Sequence, residues 1–123
     1  MSLFIMIFGF LTLALVVINI LIVRKIIKIN FVWHKRIAYI ILVTGFLHGL
    51  LVFLYYGEDI ISVKYLAFGG LFTYLLLIIQ VLIGRQIIKV GINAHRVLGY
   101  IILLLAMAHA TLVILFKNGI ISF

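Results

Sequence analysis

Four stretches of this chain, residues 3–23, 37–56, 66–84 and 97–116, each run for about 20 residues without an Asp, Glu, Lys or Arg. At 1.5 Å of rise per residue, a helix of that length reaches across a hydrocarbon core of ~30 Å. The connections between them are short and contain no proline. The expected fold is therefore an all-α membrane protein, a bundle of four transmembrane helices. Composition agrees, since 68% of the 123 residues are hydrophobic and the mean hydropathy is +1.50, where a soluble domain is roughly half apolar. The first run has neither the basic leader nor the small-residue cleavage site of a signal peptide, and is expected to be helix 1.

The net charge of +8 is informative through its placement. Arg24, Lys25, Lys28, Lys35 and Arg36 fall between the first two runs, and Arg85, Lys89 and Arg96 between the last two. These connections share one side, which the positive-inside rule makes cytoplasmic, so both termini are expected outside the cytoplasmic membrane of a prokaryote. The opposite side has Lys64 and Lys117, with Glu58 and Asp59 the only acids. Cations so arranged suit topology and anionic headgroups of membrane lipid, and no nucleic-acid partner is expected. With no Cys, disulfides, thiolate metal sites and the C-x-x-C-H attachment of c-type haem are excluded.

The chain repeats itself at an offset of 61 residues, as one membrane domain of two halves, residues 1–61 and 62–123. Gly9 aligns with Gly70, Thr12 with Thr73, Asn19 with Gln80, Arg24 with Arg85, Lys28 with Lys89, His34 with His95, Tyr39 with Tyr100 and His48 with His109. Shared Ile and Leu positions carry little weight in so apolar a chain; the polar and glycine matches carry the repeat. Each half is one plain helix, a basic connection and a helix bearing two histidines. Helices 2 and 4 then run in the same direction, giving parallel rather than inverted repeats.

Within each half the two histidines are fourteen residues apart. That spacing returns a helix to within about 40° of its starting direction after roughly 21 Å of rise. Both histidines of a helix face one way but lie too far apart to share a metal, whose bonds to imidazole are only about 2 Å long. Partners must come from the other helix: His34 with His95 in an inner layer, and His48 with His109 in an outer one. Ala38, Gly45 and Gly49 follow His34 at four, eleven and fifteen residues, as Gly99, Ala106 and Ala110 follow His95. They form a small-residue stripe on the histidine face, wide enough for something flat or for close helix packing. Helix 3 adds Gly70 and Gly84, and helix 1 has Gly9, with Val23 in the second position. Two imidazoles per layer, without carboxylate or thiolate, are too few for a zinc or copper site. Haem iron needs just two axial ligands, which is the number each layer supplies.

With this pattern, the chain resembles the haem-bearing four-helix core of cytochrome b from quinol-oxidising bc complexes, over nearly its whole length. Ferric-reductase-like transmembrane cytochromes, with two haems between parallel helices at nearly this spacing, are the second choice. The resemblance implies two non-covalent b-type haems, with His34 and His95 on the inner iron and His48 and His109 on the outer. It matches Gly70 and Gly84 to the family's glycine pair on the third helix, and Gly9 to one glycine on the first.

Further site residues follow from position. Arg36, Lys35 and Arg96 open helices 2 and 4, where haem propionates of the inner layer would be neutralised, although topology alone also places cations there. Lys64 and Lys117 are the only basic residues on the outer side. Asn19 and Gln80 are repeat-related polar groups suited to interhelical hydrogen bonding or to quinone contact. Tyr39 and Tyr100 lie about 140° from the preceding histidine and are expected off the histidine face. Trp33 and residues 53–56 read as interfacial belts.

The leading expectation is a dihaem cytochrome that carries electrons across the membrane, as a carrier or a subunit of a membrane oxidoreductase, with a redox protein or quinone as partner. No catalytic residue is identified. The alternatives are a small proton-coupled transporter titrating its histidines, and an anchor subunit of a larger redox complex stapled by haem.

Overall fold

The computed structural model describes residues 3–57 and 63–122; Glu58 and Asp59 lie outside them. It is a bundle of four helices, α1 (Leu3–Val23), α2 (Val32–Tyr56), α3 (Lys64–Gly84) and α4 (Ile92–Lys117). All four are long and apolar enough to cross a membrane. Most of their apolar surface points away from the bundle. Phe68, Leu54 and Leu104 are 71%, 67% and 66% exposed, a surface that would aggregate in water but is matched by lipid tails.

Consecutive helices pack side by side and α4 closes against α1. The four therefore stand at the corners of a square, with α1 and α3 on one diagonal and α2 and α4 on the other. Among the described residues, no Cα of α2 comes within 8 Å of one in α4. The two histidine helices run parallel with their backbones held apart across this diagonal.

One buried cluster joins Val16 and Ile22 of α1 to Ile37 and Ile41 of α2 and is closed by Leu77 and Leu103 from the other half, while Ile5 and Ile102 are the most deeply buried side chains among the described residues. The threonine hydroxyls in this setting find partners, as a low-dielectric environment favours. The Thr12 hydroxyl donates to the Phe8 carbonyl at 2.8 Å, and Thr12 Oγ1 lies 3.0 Å from Thr44 Oγ1, linking α1 to α2. Thr73, the repeat counterpart of Thr12, donates to the Gly69 carbonyl at the same 2.8 Å.

The repeat is written into the backbone as well. Helix α1 ends with Lys25 at φ 58°, and α3 ends with Gln86 at φ 61°. Around Lys25, Ile26 N–H donates to the Leu21 carbonyl and Lys25 N–H to that of Ile22; Ile87 to Leu82 and Gln86 to Ile83 repeat this 61 residues on. Each is a Schellman stop, in which one left-handed residue satisfies the last carbonyls and turns the chain back.

Helices α2 and α4 begin five residues before the uncharged runs at 37 and 97. A count of charge stops at Arg36 and Arg96, whereas the helix continues through headgroup depth, where polar side chains are solvated. Asn30 supports the early start, its Oδ1 accepting from the Val32 N–H at 2.9 Å. His34 and His95 consequently stand in the first turns of their helices.

Candidate functional site

The four histidines meet in two pairs across the α2/α4 diagonal. His34 and His95 lie at the end carrying the basic connections, with ring centres 6.3 Å apart and planes crossed at 85°. His48 and His109 lie toward the other end, with ring centres 6.4 Å apart and planes crossed at 81°. The cross-pairing expected from the spacing is the arrangement observed.

Within each half, the first helix seats the histidines of the second. On α1, the carbonyl of Ile5 accepts a hydrogen bond from His48 Nδ1–H at 2.9 Å, and Asn19 Oδ1 lies 3.0 Å from His34 Nδ1. Both acceptors are oxygens, so Nδ1 carries the proton in each ring and Nε2 keeps its lone pair. Gly9 makes the first of these contacts possible. A Cβ at Gly9 would stand 3.0 Å from His48 Cε1, so close that the ring would have to shift by a few tenths of an ångström. On α3, a Cβ at Gly70 would meet His109 Cε1 at 3.1 Å, and one at Gly84 would meet His95 Cε1 at 3.2 Å. These three glycines seat the leading edges of imidazole rings.

The small-residue stripe divides. Ala38 and Gly99 line a cavity of about 800 Å³ between His34 and His95, within the range of pockets that hold organic cofactors. Gly99 also admits the Gln80 side chain: its missing Cβ would lie 3.1 Å from Gln80 Nε2, which donates to the His95 carbonyl at 2.8 Å. Gly45 is covered by the ring of Tyr74, 3.1 Å from where its Cβ would be, and the Tyr74 hydroxyl donates to the Leu42 carbonyl at 3.2 Å. Gly49 has open space beside it, and Ala106 is half-buried on α4. A second cavity of about 190 Å³ lies beside His109 between α3 and α4, bordered by Gly69, Thr73 and Ala108.

The larger cavity has a basic rim. Arg24, Lys25, Lys35, Arg85 and Arg96 border it, and so do Val23, Tyr39 and Tyr100. Arg36 turns away, with its guanidinium over the Trp33 ring at 5.3 Å. The two tyrosines, expected off the histidine face, belong to the cavity wall, where Arg85 lies 6.0 Å above the Tyr39 ring. Lys64 sits over Tyr65, and Lys117 donates to Met6 Sδ at 3.2 Å, tying α4 to α1. Asn19 and Gln80 are both interhelical hydrogen-bonding groups directed at histidines, and Phe31 stacks on His34 at 5.0 Å. The sequence offered no signal for Tyr74, because Leu13 occupies the equivalent position of the other half.

Among the described residues, no group of three or more His, Cys, Asp or Glu side chains converges on a metal position. Each layer thus presents two imidazoles and no further ligand of those types. A metal bonded to both stands ~2 Å from each nitrogen, itself roughly 1.1 Å from its ring centre, so a linear bridge needs centres about 6.2 Å apart. Both observed separations fit that requirement. A metal carried in a macrocycle with four equatorial ligands of its own would require from the protein only the two donors that each layer presents. Comparison of the chain with protein-family models, curated proteins and solved structures finds no match.

Proposed function

We propose that this protein is a dihaem b-type cytochrome of the prokaryotic cytoplasmic membrane, passing single electrons between its two faces. The observation that carries the reading is the doubled imidazole pair, with centre separations of 6.3 and 6.4 Å at two levels of one bundle. Iron held by two histidines has both axial positions filled, which favours one-electron exchange over binding of oxygen or substrate.

The chain's own residues divide the work. His34 with His95, and His48 with His109, would hold the two haem irons through their Nε2 nitrogens. Asn19 and the Ile5 carbonyl hold the Nδ1 protons that keep Nε2 available, as outer groups commonly do for metal-bound histidine. Gly9, Gly70 and Gly84 let the rings sit against α1 and α3. Lys35 and Arg96, on the cavity rim, are placed to neutralise propionates through charge-assisted hydrogen bonds. The positive-inside rule puts this rim in the cytoplasm and both termini outside. The two layers are roughly 21 Å apart along the helices, so electrons that enter at one face have a relay to the other. Donor and acceptor are separate: a quinone, or a redox protein at either surface.

Absorption spectroscopy of the purified protein tests the reading. A Soret band with sharpened visible bands on reduction, and two haems per chain, is the expected result; a protein that binds no haem when supplied with it would overturn the proposal. Replacing His48 with Ala should remove one haem of the two. Loss of both, or of neither, would count against layered sites.

A further inference from the structure

The two ends of the histidine system are held by different chemistry. His48 gives its Nδ1 proton to a backbone carbonyl, that of Ile5, whereas His34 gives it to the side-chain amide oxygen of Asn19. Gln80 occupies the position of Asn19 in the second half, and its amide is equally committed to the histidine of its own half. Its Nε2 donates to the carbonyl of His95 at 2.8 Å. Two polar atoms are left buried without a partner there, Gln80 Oε1 and His95 Nδ1. A buried group without a hydrogen bond is costly and calls for explanation.

The two orphans are complementary in one protonation pattern only. If His95 carried its proton on Nε2, Nδ1 and Gln80 Oε1 would both be acceptors, and neither could satisfy the other, although in this structure the two atoms make no hydrogen bond to one another. With the proton on Nδ1, His95 has a donor and Gln80 an acceptor, and Nε2 has the free lone pair that a metal needs. This is the state in which His34 is already held by Asn19.

We infer that Asn19 and Gln80 are a repeat-related pair of positioning residues. The Asn19 oxygen takes the Nδ1 proton of His34, and the Gln80 oxygen takes that of His95 once a small side-chain adjustment brings the two unpartnered atoms together; both fix the tautomer that frees Nε2 and set how strongly those imidazoles would donate to iron. Gly99 serves the same device, since its missing Cβ makes the space that the Gln80 amide occupies. A stronger acceptor on Nδ1–H makes an imidazole more electron-rich and favours ferric over ferrous iron. The amides therefore tune the haem at the basic end, while the backbone-held histidine of the other end is outside their reach. The inference rests on the histidines being haem ligands.

The test is a spectroscopic redox titration of the full-length protein carrying Asn19→Leu, Asn19→Asp, Gln80→Leu or Gln80→Glu, with haem content measured alongside. The transition that survives in His48→Ala identifies the haem at the basic end. The Leu variants should move that transition to higher potential and the acidic variants to lower, leaving the other transition in place. If a Leu variant loses that haem, retention by the acidic variant at the same position supports the assignment, and loss in both overturns it. Two unmoved transitions in fully loaded Leu variants would also overturn it while leaving the dihaem reading intact. A wild-type chain that takes up no haem would instead sink the dihaem reading itself.

Discussion

An added Cβ at Gly9 would come closer to a histidine ring than one at Gly70 or Gly84. Gly9→Ala would drive a methyl to 3.0 Å from His48 Cε1 and push the ring off the Ile5 carbonyl. On the dihaem reading, haem content should fall from two toward one per chain. Gly49→Ala, with nothing within 4 Å, should keep both. A chemical haem assay on the two variants makes the comparison, and equal haem content in both would contradict the seating role of Gly9. The glycines that seat imidazoles were legible in the sequence, because Gly9, Gly70 and Gly84 stand at repeat or fourteen-residue positions. What fills the space beside Gly45 and Gly99 was not. Tyr74 has no counterpart in the first half, and the reach of Gln80 depends on a side-chain conformation that spacing does not encode.

At the scale of the helix, the matched stops after α1 and α3 place a residue other than glycine in the left-handed region. Lys25 and Gln86 each bear the Cβ crowding of that conformation, which costs roughly 1 kcal/mol and which glycine escapes. Gln86→Gly should therefore stabilise the bundle by about 0.5–1 kcal/mol. Lys25→Gly should give less, because it also removes a positive charge from the carboxyl end of a helix. Thermal unfolding in detergent, followed by circular dichroism, would detect the ranking; a lower midpoint for Gln86→Gly would contradict it. In the bundle interior, Thr44→Val breaks the α1–α2 hydroxyl contact, and a loss of roughly 0.6 kcal/mol is expected from typical intramembrane hydrogen bonds, measurable by the same melts. The spans themselves were plain in the sequence. Their true starts were not, because a rule that counts charges ends a helix where the hydrocarbon ends, whereas α2 and α4 continue to Val32 and Ile92. That extension is what puts His34 and His95 in the first turns of their helices, beside the basic rim.

The whole molecule is two hairpins, each of which builds half of both sites. Helix α1 orders the histidines of α2, and α3 packs against those of α4, so neither half closes a layer alone. Parallel repeats and the cross-pairing followed from the 61-residue offset, because an even number of spans separates equivalent helices. The crowding of five cations around one cavity mouth was legible only as charge on a shared side, since residues far apart in sequence make that rim. On the dihaem reading, protein reconstituted in vesicles should let a reductant trapped inside reduce an impermeant acceptor outside, and His48→Ala should abolish that transfer while leaving the remaining haem reducible. Undiminished transfer by the variant would show that the second layer is not on the path.

On the dihaem reading, the crossed rings would have a magnetic consequence once iron is bound between them. Imidazole planes at 85° and 81° to each other direct their π-electrons into two different d orbitals of an iron between them. Parallel planes would load a single orbital and split the pair. Crossed planes leave the pair nearly equal in energy, so the unpaired electron of a ferric low-spin centre keeps much of its orbital motion. The oxidised protein is thus expected to show, in low-temperature electron paramagnetic resonance, broad isolated signals at large g rather than a well-resolved rhombic triplet. A rhombic triplet from both centres would mean that the rings rotate out of their crossed seats when iron binds.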